Sequence, residues 1–591
     1  MADQGTDNRV PPAVEGIQVN FCKNPQCANY GVPASIGRQP RTPGSAAKRM
    51  DAYVVTMGHK TPVPLLKCKH CNEQPAMKNN LGIHEETCRF WVYLVPEEQM
   101  VCPNESCQNH LPMAVGVRSL FSQFGKTRSG SQRYRCKACG VTFSVGSPTN
   151  HQKAPHKNLT VFRLLVNKMP FRRICEVADI NQETLYRKID FIHQQCMLFA
   201  GNRERVLPEK RIRRLYIGVD RQDYLVNWAS SMDRRNVMLH AVAAADNGTG
   251  YVFATHLNFD PSLSHEEIEQ RVRAINDGSK EPPFRRYARL WIEDDYSEAL
   301  RTSRGNYQNE VNGPRSLMGD IALMYEEVEN RADTEISETP NENIKLPSTG
   351  VQVHAEYTLY GHFFFLRKLL DNVEKIRFFL DQDSGIRAAC LSAFCDRIKE
   401  SRCDAFYVRI KTDITIDEKR RILADSRARF QAKKALHPDL SDSQVKLLII
   451  KERLNELTAI GKWKDRWVEH PFPNMGEPEK VMCYLTDMHQ YDEDHVAWLY
   501  NKASKHAVDR FFMQARRRMS LLERPLSTMR NRGRRWHGYG PYNPAMIGKL
   551  LDIFRVFYNY VEAGQDKQTP AMRVGLVKSV ASIEDILYYG K

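Results

Sequence analysis

Three aspartates stand where the chain can deliver carboxylates to one point. Asp220 closes the apolar run 215–220 (LYIGVD), and Asp381 closes a second run, 376–381 (IRFFLD), 161 positions later (381 − 220 = 161). Asp509 precedes the helical run 510–518 (RFFMQARRR). Hard carboxylate oxygens are the ligands that Mg²⁺ or Mn²⁺ accepts, and two such ions roughly 4 Å apart activate a nucleophile on one side of a phosphodiester and stabilise the leaving oxygen on the other. The expected division is that Asp220 bridges two ions while Asp381 and Asp509 each hold one. Phosphoryl-transfer chemistry on nucleic acid follows, with no nucleotide cofactor, since no Gly-rich loop ending in Lys-Ser or Lys-Thr occurs. Two alternatives stay open: Asp383 for the second acid, although with Ser384 it more naturally caps the next helix, and Glu523 for the third. Asp223 and Asp246 read as surface or turn residues.

A second chemistry belongs to cysteine. Nine of the 15 cysteines precede residue 140, and eight of them repeat one pattern: Cys22-x4-Cys27 with Cys68-x2-Cys71, then Cys102-x4-Cys107 with Cys136-x2-Cys139. Each short knuckle presents two thiolates, and two knuckles close a tetrahedral Zn²⁺ site. Two zinc ribbons, hence two Zn²⁺ per chain, are expected. For the first unit a rival set exists, Cys68, Cys71, His84 and Cys88, spaced like a small zinc finger, which would leave Cys22 and Cys27 without metal.

Charge places the partner. The net charge is +16, and residues 1–215 carry 31 Lys+Arg against 16 Asp+Glu, leaving 55 (86 − 31) against 54 (70 − 16) for the rest. The basic excess is N-terminal, where a polyanion is the natural ligand. There the pattern turns helical: 159–166, 171–178 and 182–189 read as three helices, the last two joined by a tight polar turn. They suit a helix-turn-helix with Arg172, Arg173, Thr184, Tyr186, Arg187 and Lys188 toward double-stranded DNA; a plain three-helix bundle is the alternative. Residues 510–535 hold nine Arg and one acid, Glu523, too one-sided for an ordinary solvated face. Arg510, Arg516, Arg517 and Arg518 are therefore expected to contact phosphate.

The elements that must position the acids can be laid out in order. Strands at 215–220, 236–243 and 250–256 form consecutive hairpins through the turn signal at 246–249. After a helix over 357–372 come a strand at 375–380, a helix at 384–398 and a strand at 405–410, an alternation that fits parallel strands. Charged helical material near 265–275 and a polar run, 326–350, read as an insertion ending in a flexible surface segment. A second insertion, 414–490, contains a helix near 441–457 and a hairpin near 479–486. One long helix, 494–522, carries Asp509, and 550–560 is a packing helix. No 18-residue apolar stretch occurs and the N-terminus lacks signal-peptide character, so a cytoplasmic protein, nucleoid-associated when bound to DNA, with no membrane partner is expected.

The order of parts resembles the DDE transposases of bacterial insertion sequences. The segment 508–518 is similar to the helix of those enzymes that carries the third acid, an acid-Arg pair followed by a triple Arg, and 558–560 with 569–571 resembles their ending. The third acid departs from the pattern in being Asp rather than Glu. The resemblance implies a multidomain α+β chain: zinc ribbons over 1–98 and 99–150, a helix-turn-helix over 151–210, an RNase H-like α/β catalytic core from 211–260, 355–413 and 491–545, insertions at 261–354 and 414–490, and a helical tail, 546–591. It further implies binding of transposon ends and target DNA, metal-dependent cleavage and strand transfer, and a homodimer or larger homo-oligomer on DNA. A catalytically inactive transposase-derived DNA-binding regulator and an RNase H-type structure-specific nuclease are the other readings.

Overall fold

The computed structural model describes residues 8–37, 51–57, 63–95, 102–110, 120–127, 132–144, 149, 152–304, 316–329, 331, 333–336, 338, 340–411, 414–524 and 534–589. Its strands are β1 (Tyr53–Met57), β2 (Pro64–Cys68), β3 (Phe121–Lys126), β4 (Gln132–Cys136), β5 (Thr142–Ser144), β6 (Ile212–Val226), β7 (Val237–Asp246), β8 (Val252–Leu257), β9 (Phe259–Asp260), β10 (Val351–Gln352), β11 (Val373–Leu380), β12 (Cys403–Lys411), β13 (Thr458–Ile460), β14 (Asp465–Glu469) and β15 (Glu479–Tyr484). Eight of them form one mixed sheet in the order β13-β14-β15-β12-β11-β6-β7-β8. Strands β6, β11 and β12 run parallel, β7 runs against β6, and β8 runs against β7.

The near-continuous apolar character of the central strands follows from burial on both faces. On β11 the two-residue alternation sorts side chains to different cores: Ile376, Phe378 and Leu380 join the main core, whereas Phe379 packs with Phe406, Val408 and Tyr484 in a second core. The helices Ala355–Leu369 and Ser384–Ala393 contribute to the first core, and Asp442–Leu454 and Glu493–Lys502 to the second. The β7–β8 turn is held by Asp246, which accepts hydrogen bonds at 2.8 Å from the Tyr216 amide and from both the amide and hydroxyl of Thr249.

Four sequence expectations change. The 479–486 segment is not a self-contained hairpin: β15 pairs with β12 on one side and β14 on the other, so part of the second insertion extends the central sheet. The polar run 326–350 is not a surface segment throughout, because Asp333, Glu335 and Glu338 are buried. Lys78 and Lys23 neutralise the first two, and the Trp291 indole and the Asn258 amide donate to Glu338 at 2.6 and 2.7 Å. Its composition looked disordered because these partners lie far away in sequence. The helix predicted to end near residue 189 continues through Gln182–Glu204, since its second half packs on the helix Ala545–Tyr560. There Glu204, fully buried, pairs with Arg555 at 2.8 Å and accepts from Tyr93 and Tyr251. Finally, the long helix 494–522 is two helices, Glu493–Lys502 and His506–Arg518, broken at 503–505.

Candidate active site and two cysteine centres

Parallel pairing of β11 with β6 sets the distance between the first two acids. Leu380 lies opposite Val219, so Asp381, the next residue, arrives beside Asp220, and its amide donates to the Val219 carbonyl at 3.1 Å. Asp509 comes from the first turn of His506–Arg518, which packs on β6 and β7. Gly218 permits that approach: a Cβ there would lie 3.3 Å from both the Lys505 Cα and a Val508 methyl. Three elements spanning 289 positions (509 − 220 = 289) thus bring their carboxylates to one end of the sheet.

The sequence reading missed the cation among them. Lys505 is buried, and its ammonium sits 2.5 Å from the Asp381 carboxylate and 3.5 Å from that of Asp220. It reaches the site because the chain breaks helix immediately before it. Asn247 pins both sides of that break, donating to the Ser504 carbonyl at 2.6 Å and accepting from the Ala507 amide at 3.2 Å. Glu477 accepts from the Lys505 amide and the Ser504 hydroxyl and is itself paired with Lys480 at 2.9 Å. Lys505 stands four residues before Asp509, the spacing of one helical turn, but its sequence context reads as uninterrupted helix.

Burial dominates the electrostatics of the cluster. It pushes Asp509 up to about 8, with Asp220 and Asp381 adding to the rise against the pull of Lys505. Burial likewise raises Asp220. At Asp381 the same burial is outweighed by Lys505, Arg409 and Arg221, which hold it below the usual carboxylate range. The facing acids hold Lys505 above its usual range despite its own burial. One carboxylate is therefore biased toward its protonated form while a second is held ionised, the pattern of an acid cluster with more negative charge than one ammonium balances.

The alternatives to these acids are engaged elsewhere. Asp383 caps the helix Ser384–Ala393, accepting from the Ile386 amide at 3.0 Å, and pairs with Arg221 at 3.3 Å. Asp223 accepts from His240 at 2.6 Å. Glu523 pairs with Lys168 in the helical module.

The cysteines gather as two sets of four, Cys22, Cys27, Cys68 and Cys71, and Cys102, Cys107, Cys136 and Cys139, each with its sulfurs within 4.8 Å of one another. Both are compatible with Zn²⁺, giving two ions per chain. His84 and Cys88 lie 3.4 Å apart on the helix Asn80–Trp91, outside the first set, so the finger arrangement is not the one formed. The repeat extends one step beyond the ligands. Asn29 and Asn109, each two residues after the second cysteine of its knuckle, donate to Cys68 and Cys136 at 3.3 Å. Burial raises both of those thiols, yet hydrogen bonds from these amides and neighbouring backbone hold Cys68 at about 7 and Cys136 at about 6. Thiolate is the form that binds metal. The surroundings of the two centres differ: Cys22, Cys27 and Cys68 belong to the main core, while Cys102, Cys107, Cys136 and Phe121 form a small core of their own.

The expected DNA contacts divide. Arg172, Arg173, Arg187 and Tyr186 are exposed, and Thr184 is half-buried at the start of its helix. Among the described residues, the arginines pair with Glu176 and Glu183 on their own helices. Lys188 does not reach the surface: its ammonium donates to the Lys153 and Ala154 carbonyls and to Asn158, so it ties the module together. Arg510 and Arg517 are exposed, whereas Arg516 donates to Gln222 and Arg518 to Glu562, so these two brace the helix. Arg530 and Arg532 of the arginine-rich run lie outside the described residues. No helix among the described residues is long and apolar enough to cross a membrane. No protein-family model matches this chain, and no curated protein matches it either.

Proposed function

We propose that this protein is a DNA transposase of the three-aspartate type, which binds the ends of a mobile element and catalyses metal-dependent cleavage and strand transfer. The observation that carries the reading is the meeting of Asp220, Asp381 and Asp509 at one sheet end around a buried cation. The strand order β8-β7-β6-β11-β12, with β7 alone antiparallel, supports an RNase H-like core. The exposed arginines of Phe171–Ala178 and Gln182–Glu204 support a helix-turn-helix that contacts phosphate.

The residues fit a divalent cation by their chemistry: three carboxylates carry more negative charge than Lys505 offsets, and a cationic group already bridges two of them. Asp220, Asp381 and Asp509 would hold Mg²⁺, which when bound supplies charge stabilisation for the scissile phosphate and a more acidic water. The chain's own residues do the positioning. The parallel register of β6 and β11 keeps two carboxylates adjacent, the pinned helix break aims Lys505 between them, and Asp509 reaches them from one turn further along the same helix.

The test is Mg²⁺-dependent cleavage of duplex DNA taken from the sequence flanking the coding region. Asp220→Asn, Asp381→Asn and Asp509→Asn are each expected to lower cleavage by about three orders of magnitude, since several kcal/mol of stabilisation corresponds to about tenfold per 1.4 kcal/mol. Folding and DNA binding should persist. Parental cleavage by all three variants would overturn the enzymatic reading and leave the regulator.

A further inference from the structure

A recess of about 270 Å³ lies between the β7–β8 turn, the start of His506–Arg518 and the C-terminal helices Ala545–Tyr560 and Pro570–Val574, with Gly248, Gly250, Arg510, Tyr558, Asp566 and Arg573 in its wall. Arg510 follows Asp509 and so stands about 100° further round the helix. The recess therefore opens to another side of that helix, and none of the three acids lines it. A single water needs only about 10–15 Å³, so there is room for a larger polar guest.

Most polar groups of the wall are already engaged. Arg573 pairs with Asp566 at 2.7 Å and donates to the Thr249 and Gln568 carbonyls, each at 3.1 Å. It thereby ties the tail to the turn and neutralises the carboxylate that faces the space. His506 shares a hydrogen bond with the Ser504 hydroxyl at 3.1 Å, and Asn247 is spent on the helix break. Two side chains stand apart. Among the described residues, neither the Arg510 guanidinium nor the Tyr558 hydroxyl has a hydrogen-bond or ion-pair partner. Arg510 is exposed, whereas Tyr558 is only 6% exposed, with its ring packed against Phe511 and Phe554. Its hydroxyl reaches the turn: a Cβ on Gly250 would stand 3.9 Å from that oxygen and 3.9 Å from an Arg573 nitrogen. Burial raises the Tyr558 phenol despite Arg510 and Arg573, so the group keeps a proton to donate. An unsatisfied hydroxyl at so buried a residue costs stability, and beside a free guanidinium the partner that satisfies it is an anion rich in oxygens.

We propose that this recess is a phosphate site, in which the Arg510 guanidinium and the Tyr558 hydroxyl hold one phosphate group. The two donors come from different helices to one space, and hydrogen bonds to an ionised acceptor are the strong ones. The choice of phosphate over a carboxylate rests on the proposed function, because the helix that supplies Arg510 also carries Asp509, and a strand cut at the acids brings phosphates to that helix. The arginine run alone foresaw a surface contact; the buried hydroxyl from the C-terminal helix gives the contact a defined shape. Two sources offer the group, the DNA backbone and free inorganic phosphate.

The experiment uses the full-length, zinc-loaded protein with Tyr558→Phe and Arg510→Gln, both expected to melt like the parent because neither group has a partner within the described chain. Two titrations are run: inorganic phosphate at constant ionic strength, followed by phosphorus NMR, and the flanking duplex at several salt concentrations, followed by mobility shift. If the guest is a backbone phosphate, Arg510→Gln lowers the salt slope of duplex binding by about 0.9. Tyr558→Phe then weakens duplex binding about tenfold, the loss expected when one hydrogen bond to a charged group goes. If the guest is free phosphate, duplex binding is unchanged, and inorganic phosphate binds saturably in the millimolar range and about tenfold more weakly to either variant. Parental behaviour of both variants in both titrations overturns the proposal. So does a response to Arg510→Gln alone, which describes an arginine on an open surface. The cleavage assay separates this from the functional reading. If the aspartate variants lose cleavage while neither titration responds, the phosphate site alone fails. If either titration responds as stated while those variants cleave like the parent, the transposase reading alone fails.

Discussion

An ammonium buried against three carboxylates neutralises part of their repulsion and also takes space that a metal ion would use. Lys505 does the first, at 2.5 Å from Asp381 and 3.5 Å from Asp220, and would do the second if these acids hold Mg²⁺ as proposed. Removing it should therefore have opposite effects on two measurements. In metal-free buffer Lys505→Met leaves buried carboxylates without a partner, a change that costs about 3–5 kcal/mol when a buried pair is broken, so its melting temperature should fall. With Mg²⁺ present the acids face no internal competitor, so titration calorimetry should show tighter Mg²⁺ binding by about tenfold or more, and the melting temperature should recover. A variant that melts like the parent and binds Mg²⁺ no better would show that Lys505 does not compete for the site.

At the scale of elements, the break between Glu493–Lys502 and His506–Arg518 decides whether Lys505 reaches the acids. Asn247, in the β7–β8 turn, bonds both sides of it. Asn247→Ala should leave the fold intact, yet lower cleavage by about 100-fold, because the helix that this clamp sets also carries Asp509 and displacing such a group by about 1 Å has an effect of that order. A variant with parental cleavage would show that the break holds without that clamp. The helical module allows a second prediction. Replacing Arg172, Arg173 and Arg187 together should lower the salt dependence of DNA binding by about 0.9 unit for each phosphate that is no longer neutralised, read by mobility-shift titration at several salt concentrations. Lys188→Met should instead lower thermal stability without changing that slope, because its ammonium is spent on Lys153, Ala154 and Asn158. The opposite pattern would remove the helix-turn-helix assignment.

Over the whole molecule the two cysteine centres have different jobs despite their common sequence pattern. The first is built into the main core: Tyr30 donates to the Leu391 carbonyl at 2.7 Å, Gln26 to the Asp487 carbonyl at 2.9 Å, and Lys23 reaches Glu335 and Tyr360. Among the described residues, the second packs in a small core of its own. Metal analysis should find two zinc ions per chain. Because structural zinc contributes directly to folding, Cys22→Ser should lose one ion and lower the main melting transition. Cys102→Ser should lose the other and unfold its own module, leaving that transition in place. If Cys22→Ser retained both ions, the set containing His84 and Cys88 would have to be reconsidered.

What sequence determined by itself was local or periodic. The cysteine spacing named the second set of four and narrowed the first to two candidates, because knuckle pairs two to four residues apart bring their thiols to one point; the fold then chose Cys22, Cys27, Cys68 and Cys71 over the set with His84 and Cys88. The apolar runs before Asp220 and Asp381, and the turn at 246–249, marked strands and a hairpin, because burial on both faces and turn-forming Asp, Asn and Gly leave direct signs in composition. Asp383 read as a cap for the same reason, its partner lying three residues away. Tertiary structure decided whatever depended on partners distant in the chain. Glu335 and Asp333 looked like solvated polar sequence until lysines from the first cysteine module neutralised them. The strand 479–484 joined the central sheet because β12 presented a free edge. Lys505 became part of the acid cluster only because Asn247 and Glu477, 258 (505 − 247) and 28 (505 − 477) positions earlier, stop a helix that local propensity would have continued. Backbone hydrogen-bond groups must all be satisfied when buried, and where a distant side chain satisfies them better than the next helical turn, the chain's neighbours in sequence carry no sign of it.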